Sequence, residues 1–382
     1  MMSTINQITV IGSGVMGHGI AQISAMAGYE VVIRDIQQSF LDKAMEKINW
    51  SVNKLAEKKK INQTEAEKII SRIHPIVDIQ QSLKNSELII EAVPEDLRLK
   101  HKVYQELDKY ADKDVIFGSN TSTLPISEIS SFTSRSNRFI GLHFFNPPQL
   151  MKLVEVIPGD KTDKQITDLV INFVSKIGKI PILCKKDVPG FIVNRIFIPL
   201  VHEAMYSLDR SKSSLVEVDS ASKYKMALPM GIFELADYTG LDVIHKATNE
   251  MYSRDKKVVF PHPKIQELFE NKELGQKTGK GFYLYQGDNY ERIQLTEELA
   301  EKFDPISLVS VAVNNASWLL SNGVCNKNEL EQALMLGMGL KRELFETAEI
   351  FGINNIIDTL QYLSSKFGTF YEPDKYLLSM KK

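Results

Sequence analysis

An apolar run at residues 8–11 ends in three glycines, Gly12, Gly14 and Gly17, spaced G-x-G-x-x-G within V-I-G-S-G-V-M-G. A stretch of helical composition follows. A second apolar run, Val31-Val32-Ile33, then leads to Asp35. The order strand, glycine turn, helix, strand, acid constrains the fold more than any other feature, because each part has a physical job around a dinucleotide. Gly12 permits a tight turn, and Gly14 lets a pyrophosphate approach the backbone. Gly17 lets the helix pack close to the strand. Val15 and Met16 lie between the second and third glycines, next to a helix expected over 17–27 whose N-terminal N–H groups and dipole face the phosphates. Asp35 accepts hydrogen bonds from the adenosine ribose and repels a 2′-phosphate, which favours NAD over NADP. Arg34 beside it points to the opposite face of the strand, so it does not offset this preference.

The chain has 382 residues, enough for two or three domains. A net charge of −2 gives no broad attraction to nucleic acid or to a membrane surface. The two cysteines, Cys184 and Cys325, are far apart in sequence and have no metal-ligand spacing. They read as packing residues of a protein in a reducing compartment. No signal-peptide pattern and no bilayer-length apolar run is present, so a cytoplasmic protein is expected.

Up to about residue 187 the pattern alternates strand and helix. Strands are expected at 8–11, 31–34, 88–93, 115–118, 139–145, 153–157 and 180–184. Such alternation predicts a mostly parallel sheet covered by helices. A charged helical region at 39–72, with Lys54, Lys58, Lys59 and Lys60, interrupts it. The pattern becomes helical throughout after Val188-Pro189-Gly190, and a short polar stretch at about 287–304 separates two helical blocks. Residues 217–244 and 329–356 align without a gap. Phe233-Glu234 matches Phe345-Glu346, Ala236 matches Ala348, Gly240 matches Gly352 and Ile244 matches Ile356. This reads as an internal repeat. The expected fold is therefore α/β, with a Rossmann-type dinucleotide-binding domain at 1–187 followed by two repeated all-α domains at 188–290 and 300–382.

The segment 119–155 concentrates chemically capable groups. It contains S-N-T-S-T-L-P-I, G-L-H-F-F-N-P-P and M-K-L-V-E-V-I-P-G. Glu155 lies inside an apolar strand, where a carboxylate is costly unless partnered. His143, in the neighbouring strand, is the natural partner. A carboxylate bonded to one ring nitrogen fixes the tautomer and raises the basicity of the other. A dehydrogenase needs such a base to take a hydroxyl proton as hydride leaves. The fragment K-T-G-K-G at 277–281 lacks the full phosphate-loop pattern and reads as a turn.

Together, G-x-G-x-x-G, N-T-S-T-L, G-L-H-F-F-N-P, K-L-V-E-V and P-G-F-I-V-N-R resemble the L-3-hydroxyacyl-CoA dehydrogenase family over residues 5–290. The resemblance implies that His143 is the general base and Glu155 its orienting carboxylate. It implies that Ser122 bonds the substrate oxygen near the nicotinamide and that Asn194 helps to hold that oxygen. It places Glu95 and Lys100 near the NAD ribose, and Asn146 and Lys280 at further NAD contacts. Ser51 and Lys58 fall where the family's helical hairpin meets coenzyme A, although lysines 58–60 read equally well as a solvated helix face. The expected reaction interconverts a (3S)-3-hydroxyacyl-CoA, such as 3-hydroxybutyryl-CoA, and a 3-ketoacyl-CoA with NAD. The alternatives are a dehydrogenase of free hydroxy acids on the same fold and a non-catalytic NAD-binding subunit.

Short members of this family resemble dimers joined through their helical domains. This chain continues with a second helical block, which has no P-G-F entry motif and carries Ile306 where the repeat offset would place Asn194. The block is expected to stand in for a partner subunit as an internal pseudo-dimer, leaving open further self-association. No hydratase domain is expected within these residues.

Overall fold

The computed structural model describes residues 5–286 and 294–381. The chain divides into two compact units, Met1–Asp187 and Val188–Lys382.

In the first unit the glycine turn connects β1 (Gln7–Ile11) to α1 (Val15–Met26), which returns to β2 (Glu30–Arg34). The charged region forms a hairpin of α2 (Gln38–Glu57) and α3 (Gln63–Ser71). The chain turns between them with Lys59 at φ 55°, and the Asn62 side chain caps α3 by accepting from the Glu65 N–H at 2.8 Å. The order continues β3 (Ile73–Ile76), α4 (Ile79–Ser82), β4 (Leu88–Glu91), α5 (Leu97–Tyr110), β5 (Ile116–Ser119), α6 (Ile126–Ser130), β6 (Phe139–Phe144), β7 (Leu153–Pro158), α7 (Lys164–Lys176) and β8 (Ile180–Leu183). All eight strands form one sheet in the order β3-β2-β1-β4-β5-β6-β7-β8. Every pairing is parallel except β6 with β7.

The interior strands are near-continuous aliphatic runs because helices cover both of their faces. Ile8, Val10, Val31, Ile33, Leu88, Ile89 and Ile90 have no solvent exposure. One face packs on Ile20, Ile23, Leu41, Ile48, Val170 and Phe173 from the helices. β3 was not anticipated from sequence. It is four residues long and contains Pro75, which only an edge strand tolerates, and it pairs with β2 alone. The other strand boundaries lie within one or two residues of expectation, the largest difference being that β4 stops at Glu91 rather than at residue 93.

The second unit is helical. It comprises α8 (Val193–Arg210), α9 (Leu215–Tyr224), α10 (Ile232–Thr239), α11 (Leu241–Arg254), α12 (Pro263–Glu270), α13 (Glu297–Ala300), α14 (Ile306–Ser321), α15 (Lys327–Gly337), α16 (Leu344–Phe351), α17 (Ile353–Phe367) and α18 (Lys375–Ser379). The polar stretch expected to separate two blocks is not simply a linker. Residues 287–293 lie outside the described residues, but α13 is helical, is capped by Thr296 and packs against α9. Helices α9, α10 and α11 begin at Leu215, Ile232 and Leu241, and α15, α16 and α17 begin 112 residues later in each case, at Lys327, Leu344 and Ile353. The local bonds correspond as well. Asp219 accepts from the Phe233 N–H at 2.7 Å, and Glu331 accepts from the Phe345 N–H at 3.0 Å. Gly240 and Gly352 take φ values of 101° and 87° at matching helix junctions. Helix α14 packs along α8. There the hydroxyls of Ser207 and Ser307 lie 2.9 Å apart, and Tyr371 donates to the buried Glu203 at 2.8 Å.

The glycine turn gives a sharp test of packing. A Cβ on Gly17 would lie 1.8 Å from the Gly12 carbonyl oxygen. Gly17→Ala should therefore cost about 3 kcal/mol or more, the upper range for overpacking a close contact. Thermal and urea melts of the variant check this.

Candidate active site

The glycine turn lies at the C-terminal edge of the sheet, between β1 and β4, where the strand order reverses. Open α/β sheets bind ligands at this switch point. Gly12 has φ 95° and donates its N–H to the Arg34 carbonyl at 2.8 Å, so the turn is anchored on β2. The Gly14 carbonyl accepts from the His18 ring at 2.7 Å. Burial lowers the His18 pKa, which favours the neutral ring. A Cβ on Gly14 would meet nothing within 4 Å, so open space lies in front of this backbone. No side chain caps α1, and its first turn carries no acid. Both features leave an anion-attracting helix end available. At the end of β2, Ser13 donates its backbone N–H and its hydroxyl to Asp35 Oδ2, each at 2.7 Å.

These groups border a cleft of about 680 Å³ that is completed by Ala92, Val93, Pro94 and Leu99 and by Phe40, Lys43 and Lys47 of α2. An apolar cleft with an acid at one end and bare helix N–H groups along its floor fits an adenine dinucleotide. Gly12, Gly14, Val15, Met16 and Asp35 all line it, as the sequence implied. Ser51 and Lys58 are not among its lining residues. They lie farther along the hairpin, where the Ser51 hydroxyl accepts from Gln22 at 3.0 Å and Lys58 is exposed at the end of α2.

On the same edge of the sheet, the antiparallel register places His143 directly opposite Glu155. His143 Nδ1 donates to Glu155 Oε2 at 2.6 Å. Glu155 has no solvent exposure, and His143 is 6% exposed. A carboxylate only accepts, so this bond puts a proton on Nδ1, and the neutral ring then carries its lone pair on Nε2. The loop after β5 is tied to the same strand, because Asn120 Oδ1 accepts from the Phe144 N–H at 2.9 Å. Two residues on, Ser122 belongs to a turn organised by Glu95. Glu95 Oε1 accepts from the Thr121 hydroxyl at 2.6 Å, the Ser122 N–H at 2.8 Å, the Ser122 hydroxyl at 3.1 Å and the Thr123 N–H at 3.2 Å. Asn146 is exposed just beyond β6.

Lys100, which the resemblance places near a ribose together with Glu95, has no solvent exposure. Its ammonium donates to Glu91 at 2.6 Å and lies 3.3 Å from Glu95. Burial works against its charge, yet the two carboxylates raise its pKa above the ordinary lysine value. Glu91 itself was missed. It also accepts from Ser119 at 2.7 Å and from the Val93 N–H at 2.8 Å, and Tyr104 lies 3.3 Å away. The signal was present in L-I-I-E, an acid closing an apolar strand, which is the same cue that singled out Glu155.

Asn194 and Lys280 belong to the second unit. Asn194 is half-buried in the first turn of α8. It follows Phe191, a fully buried residue held at φ 51°, a strained geometry for a bulky side chain. Lys280 is exposed and donates to Glu273 at 2.6 Å. It lies in the expected turn, where Gln276–Thr278 form a short 3-10 segment and Gly279 is left-handed. This segment is pinned by Asp237, which accepts from the N–H groups of Phe282 and Tyr283 and from the Tyr285 hydroxyl, each at 3.0 Å.

The sequence matches two family models, the 3-hydroxyacyl-CoA dehydrogenase NAD-binding domain over residues 7–188 and the 3-hydroxyacyl-CoA dehydrogenase C-terminal domain over residues 190–285. The chain belongs to the 3-hydroxyacyl-CoA dehydrogenase family. It is 40% identical over 288 residues to the mitochondrial hydroxyacyl-coenzyme A dehydrogenase of Rattus norvegicus, covering 74% of this chain and 91% of that one. The crystal structure of (S)-3-hydroxybutyryl-CoA dehydrogenase from Ralstonia eutropha superposes with a TM-score of 0.71 at 35% identity, covering 74% of this chain and all of the other. A 3-hydroxybutyryl-CoA dehydrogenase structure from Escherichia coli has a TM-score of 0.87 over 99% of this chain and 98% of its own. At 24% identity this speaks to the fold, and it extends the likeness through α14–α18. Among the described residues no cluster of His, Cys, Asp and Glu could hold a metal, and no helix is long and apolar enough to cross a membrane. Cys184 and Cys325 are buried and form no disulfide.

Asp237 makes the pinned turn sensitive to pH. Burial pushes its pKa up to about 6, against the pull of its hydrogen-bond donors. A folded-state value above the ordinary carboxylate value means that the folded chain holds an extra proton from about pH 4 to pH 6. The group's contribution to stability therefore falls as pH rises through that window, by on the order of 3 kcal/mol, and is flat above it. His202 acts in the opposite sense, because burial lowers its pKa to about 3. The diagnostic quantity is thus the difference between the melting curves of the parent and Asp237→Asn at pH 4.5 and pH 7. That difference should depend on pH below 6 and be constant above it.

Proposed function

We propose that this family member interconverts (3S)-3-hydroxyacyl-CoA and 3-ketoacyl-CoA, with short acyl chains such as 3-hydroxybutyryl as its substrates. The observation that carries the reading is the His143–Glu155 pair, set at the edge of the sheet that also bears the dinucleotide cleft. NAD, held by the turn Gly12–Gly17 and by Asp35, supplies or accepts the hydride at the substrate's C3. In the oxidative direction His143 Nε2 takes the 3-hydroxyl proton. Glu155, bonded to Nδ1, keeps that lone pair on Nε2 and stabilises the imidazolium that forms. Ser122 and Asn194 hold the substrate oxygen. Glu95, Lys100, Asn146 and Lys280 serve the cofactor, and Ser51 and Lys58 on the hairpin serve the coenzyme A moiety. The buried cysteines without a disulfide support a reducing, cytoplasmic setting.

His143→Gln should lower turnover of acetoacetyl-CoA with NADH by about 10²–10⁴-fold, the usual contribution of a positioned base. Its NADH affinity, read by fluorescence titration, should change little. Turnover at the parent rate would remove His143 from the reaction. Free acetoacetate offered in place of the CoA thioester should be a poor substrate. The opposite preference would favour a hydroxy-acid dehydrogenase.

The domain reading is 1–187 for the NAD-binding domain, 188–290 for the first all-α domain and 300–382 for its divergent copy. The matched helix starts and the paired Asp219 and Glu331 bonds support duplication. The packing of α14 on α8 supports an internal pseudo-dimer, in which the second copy occupies the place of a partner subunit. A chain ending at residue 290 should then self-associate or aggregate in sedimentation runs and lose activity on dilution. A soluble, fully active monomer would end the pseudo-dimer reading.

A further inference from the structure

Asn194 stands at the start of α8, directly after a turn that the backbone does not adopt freely. Gly190 has φ 78° and Phe191 φ 51°, so two successive residues sit in the left-handed region, and the second is a buried aromatic. A Cβ on Gly190 would lie 2.7 Å from the Met251 side chain and 2.8 Å from the Arg195 nitrogen, so the turn is also closely packed. The Arg195 N–H closes it by donating to the Gly190 carbonyl at 2.9 Å. Such a conformation persists only where its surroundings over-determine it. The Arg195 side chain belongs to those surroundings. It is 2% exposed, and its guanidinium carbon lies 3.3 Å from the ring centroid of Trp318 on α14, with an Asp255 carboxylate oxygen 4.0 Å away. A buried guanidinium gains most from an aromatic face, because water no longer competes for it.

The two helical blocks are unequal at this contact. Ser307 stands in the second block where the repeat offset would place Arg195, and Tyr206 stands in the first where it would place Trp318. A serine carries no charge to stack. Of the two contacts that the repeat could make, the one beside Asn194 is therefore the one kept. We propose that Trp318, supplied by the second block, is a positioning residue that holds Arg195 and, through it, the strained turn that presents Asn194. The proposal rests on the role given above to Asn194. The second block then does more than cover the apolar side of α8, because it also supports the geometry of the site on the first.

The test compares Trp318→Leu, Trp318→Phe and Arg195→Met in the full chain, the last probing the other partner in case the first does not fold. The kcat for acetoacetyl-CoA reduction by NADH should fall about tenfold or more in Trp318→Leu and Arg195→Met. NADH affinity, read from nicotinamide emission, should stay within about threefold of the parent. Trp318→Phe keeps a ring against the guanidinium and should recover kcat to within about threefold. In an Asn194→Ala background, Trp318→Leu should add less than about twofold to the loss, since its effect passes through Asn194. Exchange of the Arg195 amide should quicken about fivefold or more in Trp318→Leu. Parent-level kcat in both Trp318→Leu and Arg195→Met overturns the proposal. So does an equal loss in Trp318→Phe, or a fully additive loss in the Asn194→Ala background. If Asn194→Ala alone keeps the parent rate, the role given to Asn194 falls. The Arg195 amide then still decides whether the stack holds the turn, and unchanged exchange there overturns it.

Discussion

Glu155 is a fully buried carboxylate flanked along β7 by Val154 and Val156, and one partner makes that position tolerable. Moving a charge from water into such surroundings costs several kcal/mol or more unless a bonded partner offsets it. His143 supplies the bond, and it can do so only in one register of β6 against β7. A slip of one residue would turn Glu155 to the opposite face of the sheet and bring a valine opposite the ring. The pair thus serves the fold as well as the chemistry proposed for it. It joins the two strands of the antiparallel step in an otherwise parallel sheet, and it holds the imidazole through Nδ1.

The same economy recurs away from this pair. Glu91 closes a strand and binds a backbone N–H, a serine and a lysine. Asp219 and Glu331 each hold the start of the helix that packs over them, through two backbone N–H groups apiece. Asp237 binds two backbone N–H groups and a phenol. Buried acids here act as short-range fasteners for loops and helix ends. Each one imposes a cost of desolvation, and burial raises the pKa of Asp219 to about 7. Removing the donors of such a group is therefore more damaging than removing an apolar contact of similar size.

Much of the first unit was legible because its signals are local. The glycine spacing, the aliphatic runs and the acid after β2 each follow from one strand or one turn, and the structure sets them as expected around the switch point. The His143–Glu155 pair was legible for a related reason: an ionisable residue in an apolar strand advertises its need for a partner. What escaped was non-local or ambiguous. The strand β3 is short and holds a proline, so it exists only because β2 offers an edge. Lys100 carries no mark of burial in L-R-L-K, since its depth depends on two acids from a different strand and loop. On α2, Phe40, Lys43 and Lys47 line the dinucleotide cleft, which a charge count along the helix does not single out.

The packing of α14 along α8 joins two segments of a single polypeptide. Where two separate chains meet through such helices, the fraction assembled follows the concentration at which they are mixed. Covalent connection replaces that concentration with an effective one set by the intervening chain. The contact between Ser207 and Ser307 and that between Glu203 and Tyr371 therefore persist in a single molecule, however few copies a cell holds.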